Sequence, residues 1–131
     1  QVFGLALLDL DGFKEINDNY GHECGDMVLQ QTAKRLRAAV CQSDTVVRLG
    51  GDEFVIITEA DPKDSKELCD KLRCEIQRPQ LVGDREIKMG ASIGYACFPA
   101  DGVSSAALLA CADHAMYLEK RDMRSGDGGQ P

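Results

Sequence analysis

Near its start the chain runs Val2 to Leu8 apolar on both alternating faces, and a strand of that kind has to lie inside a sheet covered on both sides. It ends abruptly at Asp9-Leu10-Asp11-Gly12. A carboxylate pair therefore sits at the mouth of a buried strand. The covering layers are legible further along. From Met27 to Val40, residues Val28, Leu29, Thr32, Ala33, Leu36, Ala39 and Val40 recur at helical spacing, with Lys34, Arg35 and Arg37 mostly on the other face. Asp61-Pro62, a cap followed by Pro at the first helical position, announces a second helix that carries Leu68, Cys69, Leu72 and Ile76 before Pro79 stops it. A last helix starts near Ser104 or Ser105 and buries Leu108, Leu109, Ala112, Ala115 and Met116.

The remaining strands follow from β-rich runs. Thr45 to Leu49 and Glu53 to Thr58 are joined through Gly50-Gly51-Asp52, the signal of a tight hairpin whose turn needs positive φ. Ile87, Met89, Ala91, Ile93 and Tyr95 alternate with Glu86, Lys88, Gly90, Ser92 and Gly94, the period of a strand with one buried face. The order β-α-β-β-α-β-α predicts an α+β fold, an antiparallel-rich central sheet with helices packed on it in a ferredoxin-like or polymerase-palm-related arrangement. Residues 1–124 are expected to form one domain. Ser125 to Pro131 reads as a flexible tail or linker.

Composition narrows the function. A 131-residue chain with 44% hydrophobic and 28% charged residues suits one soluble domain. The net charge of −7 excludes a nonspecific nucleic-acid binder, which gains its affinity by neutralising phosphates with Lys and Arg. An acidic chain that binds a polyphosphate needs a metal as intermediary. The six cysteines never occur as CxxC, so neither a zinc site nor a disulfide framework is suggested. With no apolar run long enough to span a bilayer and no secretory signal, the expected location is cytoplasmic.

Asp9 ends the first strand and Asp52-Glu53 lies in the hairpin turn, so these carboxylates converge if the two strands are neighbours. Mg²⁺ is held by one or two carboxylates together with waters and substrate phosphates. Acidic residues also end strands because turns are solvated, and both roles stay open on sequence alone. Gly12-Phe13-Lys14 follows the strand as a turn able to offer amides and one ammonium to phosphates. Asn17 and Asp26 flank a Tyr20-Gly21-His22 turn. A carboxylate can pair with the two adjacent donors of guanine, which adenine lacks; a helix N-terminal position explains Asp26 equally well. Lys120 and Arg124 share a face at the end of the last helix and suit either a triphosphate tail or the helix dipole.

Taken together these segments resemble the GGDEF family over nearly the whole chain: Asp9-Leu10-Asp11-Gly12-Phe13-Lys14-Glu15-Ile16-Asn17-Asp18, Tyr20-Gly21-His22 with Gly25-Asp26, Arg48-Leu49-Gly50-Gly51-Asp52-Glu53-Phe54, Ser92-Ile93-Gly94, and Ala112-Asp113-His114-Ala115-Met116-Tyr117. The resemblance implies a diguanylate cyclase that condenses two GTP into cyclic di-GMP and pyrophosphate. It implies Mg²⁺, or Mn²⁺, on Asp9, Asp52 and the Leu10 carbonyl, with Glu53 assisting and Asp52 as base for the 3′-hydroxyl. It further implies guanine on Asn17 and Asp26, phosphates along Gly12 to Lys14 and close to Gly50 and Gly51, and their distal end on Lys120 and Arg124. One chain supplies one half-site, so a homodimer is implied, within a larger signalling protein.

Three segments depart from the family pattern. The sequence opens on the central strand, without the preceding helix and Leu-Thr-Gly-Leu-like segment. Met123-Arg124-Ser125 stands for the usual Gly-Arg-Asn. The inhibitory Arg-x-x-Asp is degenerate, reading Cys41-Gln42-Ser43-Asp44, and no cation is expected beside it. A catalytically inactive GTP-binding module that regulates a neighbouring domain, such as a phosphodiesterase, is the competing expectation. The intact Gly50 to Phe54 favours the enzyme.

Overall fold

The computed structural model describes residues 2–59 and 61–128, with side chains described as far as Asp122. Its elements run β1 (Phe3–Asp11), α1 (Phe13–Tyr20), α2 (His22–Ala39), β2 (Thr45–Gly50), β3 (Glu53–Thr58), α3 (Ser65–Gln77), β4 (Gln80–Val82), β5 (Arg85–Ile87), β6 (Gly90–Phe98) and α4 (Ser105–Gly128). A four-stranded sheet has the order β2-β3-β1-β6, with β4 and β5 forming a separate hairpin. Every neighbouring pair in the main sheet is antiparallel. The α+β class with an antiparallel sheet and packed helices is the one expected.

The apolar stretch of β1 is central as its sequence demands, and its two faces feed two cores. Ala6, Leu8 and Leu10 join Phe54, Ile56, Ala91 and Ile93 in the larger core, which takes in Val28, Leu29 and Leu36 of α2 and Leu72 and Ile76 of α3. Leu5 and Leu7 join Val55, Ala96 and the α4 residues Leu108, Ala112 and Met116 in the other. The period-2 pleat separates the sets, so α4 covers one face while α2 and α3 cover the opposite one.

Four local expectations need correction. Gly12-Phe13-Lys14 is a turn only at Gly12, which takes φ 86°; Phe13 opens a helix that buries Phe13 and Ile16. The next helix begins at His22, ahead of Met27, after Gly21 at φ 92°. The run from Glu86 to Tyr95 is not one strand with a solvent face. It breaks between β5 and β6, and the small residues Ser92, Gly94 and Ala96 are buried because α4 packs directly on them. Helix α4 continues past Arg124 to Gly128; residues 129–131 of the expected tail lie outside the described residues.

Arg35 also departs from the solvated position expected of it. Its guanidinium donates to the carbonyl oxygens of Glu75 at 3.2 Å, Pro79 at 2.8 Å and Arg78. These are acceptors at the α3 C-terminus, which no intrahelical amide can satisfy. Arg35→Ala is expected to cost about 1–2 kcal/mol, with Arg35→Lys recovering only part because an ammonium cannot fork across three carbonyls. A urea midpoint unchanged in Arg35→Ala would show that water replaces the guanidinium without loss.

Candidate active site at the end of the central strand

The sheet register builds the site. Asp9 stands opposite Glu53 on β3 and opposite Ser92 on β6, while Glu53 also pairs with Gly50 on β2. Residues in one cross-strand row share a face. Asp9 and Asp11 continue the Leu5-Leu7 face of β1, so the strand passes from apolar to acidic where its α4 cover ends. Asp52 is brought in by the hairpin: Gly51 at φ 51° turns the chain, and the Asp52 carbonyl accepts the Leu10 amide at 3.0 Å. Arg48 Nε donates to the Gly51 carbonyl at 3.1 Å and fastens the same turn from the other strand.

A cavity of about 580 Å³ opens here, lined by Asp9, Leu10, Asp11, Gly12, Phe13, Lys14, Glu15, Asp52, Ser92 and Lys120. Lys120 reaches from α4 to pair with Asp9 Oδ2 and stands 3.9 Å from Asp11 Oδ1. Ser92 Oγ donates to Asp11 at 2.9 Å. Burial pushes the Asp52 carboxyl above its ordinary range, and the Asp9 carboxylate adds to the effect. Glu53 is raised likewise by burial, then by Asp9, Asp52 and Asp113. Burial opposes the charge on Lys120, but its hydrogen bond to Asp9 and the surrounding carboxylates outweigh this and hold it protonated. Negative charge is thus concentrated beyond what the two ammonium groups of the lining, Lys14 and Lys120, balance.

The residues present fit a hard cation. Asp9 Oδ1 is buried with no hydrogen-bond partner, a costly state for an anionic oxygen. A neighbouring carboxyl can satisfy it only by keeping its own proton, as the raised Asp52 could, whereas a metal ion satisfies it with both groups ionised. Among the described residues no group of three or more His, Cys, Asp or Glu is placed to hold a metal ion by itself, so an ion here would need substrate oxygens and waters beside one or two carboxylates, as Mg²⁺ commonly takes. Beside these carboxylates, the N-terminus of α1 begins at Phe13, so Gly12, Lys14 and the first-turn amides of the cavity wall can meet an anion.

The residues expected at guanine lie elsewhere. Asp26 is exposed on α2 and lines a second hollow with Leu29, Lys34, Arg37, Arg48 and Phe54. Asn17 lines neither, but it abuts α2 one residue from Asp26: a methyl on Gly25 would fall 1.9 Å from its Oδ1. The hairpin serves both hollows, with Asp52 in one and Arg48 and Phe54 in the other. Gly50 and Gly51 have nothing within 4 Å of where a Cβ would stand. Arg124 lies outside the described side chains. Cys41 is exposed, and both Asp44 oxygens accept backbone amides, from Cys41 at 3.1 Å and Glu59 at 3.3 Å. Arg37, missed in sequence because it sits a helical turn upstream, lines the same hollow as Cys41 and Asp44. Asp11 and Ser92 were also missed as site residues, although both fall within recognised motifs.

Over residues 1–126 the sequence matches the family described as diguanylate cyclase, GGDEF domain. The chain belongs to the GGDEF family. The bifunctional diguanylate cyclase/cyclic di-GMP phosphodiesterase MucR of Pseudomonas aeruginosa is 46% identical over 95% of this GGDEF chain, which spans 18% of MucR. Diguanylate cyclase TpbB of the same species is 41% identical over 95% of the chain, which spans 29% of TpbB. The solved GGDEF domain of TpbB superposes with a TM-score of 0.88 at 38% identity, covering 93% of this chain and 78% of that one. A GGDEF domain of DgcB from Caulobacter crescentus, solved in complex with c-di-GMP, gives a TM-score of 0.83 at 28% identity over 92% and 73%. The function of this GGDEF domain is therefore related to cyclic di-GMP. Among the described residues no helix is long and apolar enough to cross a membrane.

Proposed function

We propose that this GGDEF domain is one half-site of a diguanylate cyclase that joins two GTP into cyclic di-GMP. The single observation that carries the reading is the unpartnered Asp9 Oδ1, buried in a row of carboxylates beside the open N-terminus of α1. Asp9 and Asp52, with the Leu10 carbonyl, would hold Mg²⁺ or Mn²⁺. When bound, such an ion supplies neutralisation of charge on the reacting phosphate.

The chain's own residues do the rest. The first amides of α1 and Lys14 lie along the phosphates, and Lys120 with Arg124 takes their distal end. Asn17 and Asp26 read guanine. Asp52, whose carboxyl is shifted toward protonation, accepts the proton of the 3′-hydroxyl, and Glu53 assists beside it. The 3′-oxygen bonds to the α-phosphorus of the GTP on a facing copy as the bond to pyrophosphate breaks. The reciprocal attack closes the ring, so two GTP give one cyclic dinucleotide and two pyrophosphates. A homodimer follows from this geometry, within a larger cytoplasmic signalling protein. Incubation with GTP and Mg²⁺, followed by chromatography for cyclic di-GMP, tests the reading; GTP binding with no product would favour the alternative, a regulatory GGDEF module attached to another signalling domain such as a phosphodiesterase.

Base selection gives a second expectation. GTP should bind in preference to ATP, and Asp26→Ala should erase most of that preference, because a site built to pair with donors rejects a base that lacks them. Equal calorimetric affinities of the unaltered chain for the two nucleotides would remove Asp26 from the guanine site.

Product feedback at Cys41 and Asp44 should be weak. The forked guanidinium of the family is replaced by a thiol, and both Asp44 oxygens are already engaged by the backbone. Titration of cyclic di-GMP at saturating GTP should inhibit Cys41→Arg and leave the unaltered chain uninhibited. Tight binding with noncompetitive inhibition in the unaltered chain would show that Arg37 supplies the missing guanidinium.

A further inference from the structure

Helix α4 is anchored to the sheet through Leu108, Ala112 and Met116, and Met116 is its last core residue among those described. One turn later two consecutive side chains tie it down. Glu119 is held in a fork by Arg73 of α3, whose Nη2 lies 2.8 Å from Oε1 and 2.9 Å from Oε2. Glu119 Oε1 also accepts the backbone amide of Ile93 at 3.1 Å. As β6 is the outer strand of the sheet, that amide has no further strand to pair with. Arg73 is steadied in turn by Asp70, 2.9 Å from Nη1. The Arg73 and Glu119 side chains are only 24% and 26% exposed, and charge-assisted hydrogen bonds from Nη2 to both carboxylate oxygens, drawn in from water, hold the Glu119 carboxylate in place.

Lys120 is the next residue, turned about 100° around the helix axis. It faces the strand ends at Asp9 and Asp11 while Glu119 faces the outer edge of β6. The preceding residue of β6, Ser92, holds Asp11. The two ends of the arrangement are thus joined through adjacent residues on both α4 and β6.

We propose that Glu119, clamped by Arg73 and the Ile93 amide, is a positioning residue for the triphosphate subsite: it sets the rotation of α4 that stands Lys120 beside Asp9. The proposal rests on the reading of this site as a GTP site. Without the clamp the helix keeps its core contacts, but among the described residues its rotation beyond Met116 then depends on Lys120.

The test uses 3′-deoxy-GTP, which lacks the attacking hydroxyl, and GMP, which lacks the distal phosphates. Binding of both is measured calorimetrically with Mg²⁺ present. Lys120→Ala should lower the preference for 3′-deoxy-GTP over GMP about tenfold, the loss of one charge-assisted contact. Glu119→Ala should lower it similarly while leaving GMP affinity in place, and the double variant should be no worse than Lys120→Ala alone. Additive losses, or an unchanged preference in Glu119→Ala, overturn the proposal. If Glu119→Ala does not fold, Arg73→Lys and Glu119→Gln decide, with a partial loss confined to the triphosphate preference as the supporting result and no change as the refuting one. No binding of 3′-deoxy-GTP by the unaltered chain would instead overturn the GTP reading itself, and the positioning role with it.

Discussion

Asp9→Asn and Asp52→Asn should each lower cyclic di-GMP formation by about 10²–10³-fold, the scale of losing a principal group that stabilises transition-state charge. Each removes an anionic oxygen where phosphoryl charge has to be neutralised, and each keeps the size and shape of the side chain. Folding should survive. Asp52 is already displaced toward its neutral form by burial and by Asp9, so an amide there relieves crowding and the metal-free melting temperature should be no lower than in the unaltered chain. The response to Mg²⁺ supplies a readout apart from turnover. An ion that binds only the folded chain adds about 1.4 kcal/mol at ten times its Kd. That gain should be visible as a rise in Tm for the unaltered chain and absent from both variants. Asp44→Asn controls for the general loss of an acidic residue, because its carboxylate lies in a different hollow. Turnover at the unaltered rate in either site variant, or a Mg²⁺ response that persists in both, would remove these residues from the metal site.

What could be read in advance follows physical lines. The central position of β1 was legible because burial on both faces leaves no polar alternation to hide it. The hairpin was legible because Gly50-Gly51-Asp52 leaves few turn conformations. Helix α1 was not, because Gly12 looks like a turn residue and the segment Phe13 to Tyr20 carries only two buried positions, Phe13 and Ile16. The meeting of Asp9, Asp52 and Lys120 depends on strand order, which no local signal encodes. Arg73 and Glu119 were invisible for the same reason: each reads as a solvated helix charge until α3 and α4 flank one strand. The β6 face of Gly90, Ser92 and Gly94 was misread because small residues at alternating positions look like a polar face, whereas here they admit a helix.

The small residues of β6 give the other large effect, expected at Gly94. A Cβ there would stand 1.9 Å from the Ala112 carbonyl oxygen and 2.5 Å from the Met116 amide nitrogen. Both are backbone atoms of a regular helix, so no side-chain rotation relieves the overlap and α4 itself has to move. Overpacking against a core element costs about 1–3 kcal/mol and occasionally more, and with backbone on the far side Gly94→Ala should fall at or above the top of that range. A domain stable by about 5–15 kcal/mol loses a large fraction. The displacement also carries Glu119 and Lys120 away from β6 and Asp9, so nucleotide binding should fall in whatever fraction remains folded. Gly90→Ala is the matched control on the same face of the same strand. Its Cβ would meet only the Asp11 side chain at 3.7 Å, an ordinary contact, and its urea midpoint should stay close to that of the unaltered chain. If Gly94→Ala unfolds at the same urea concentration as Gly90→Ala, α4 does not rest on this strand as described, and the placement of Lys120 beside Asp9 loses its support.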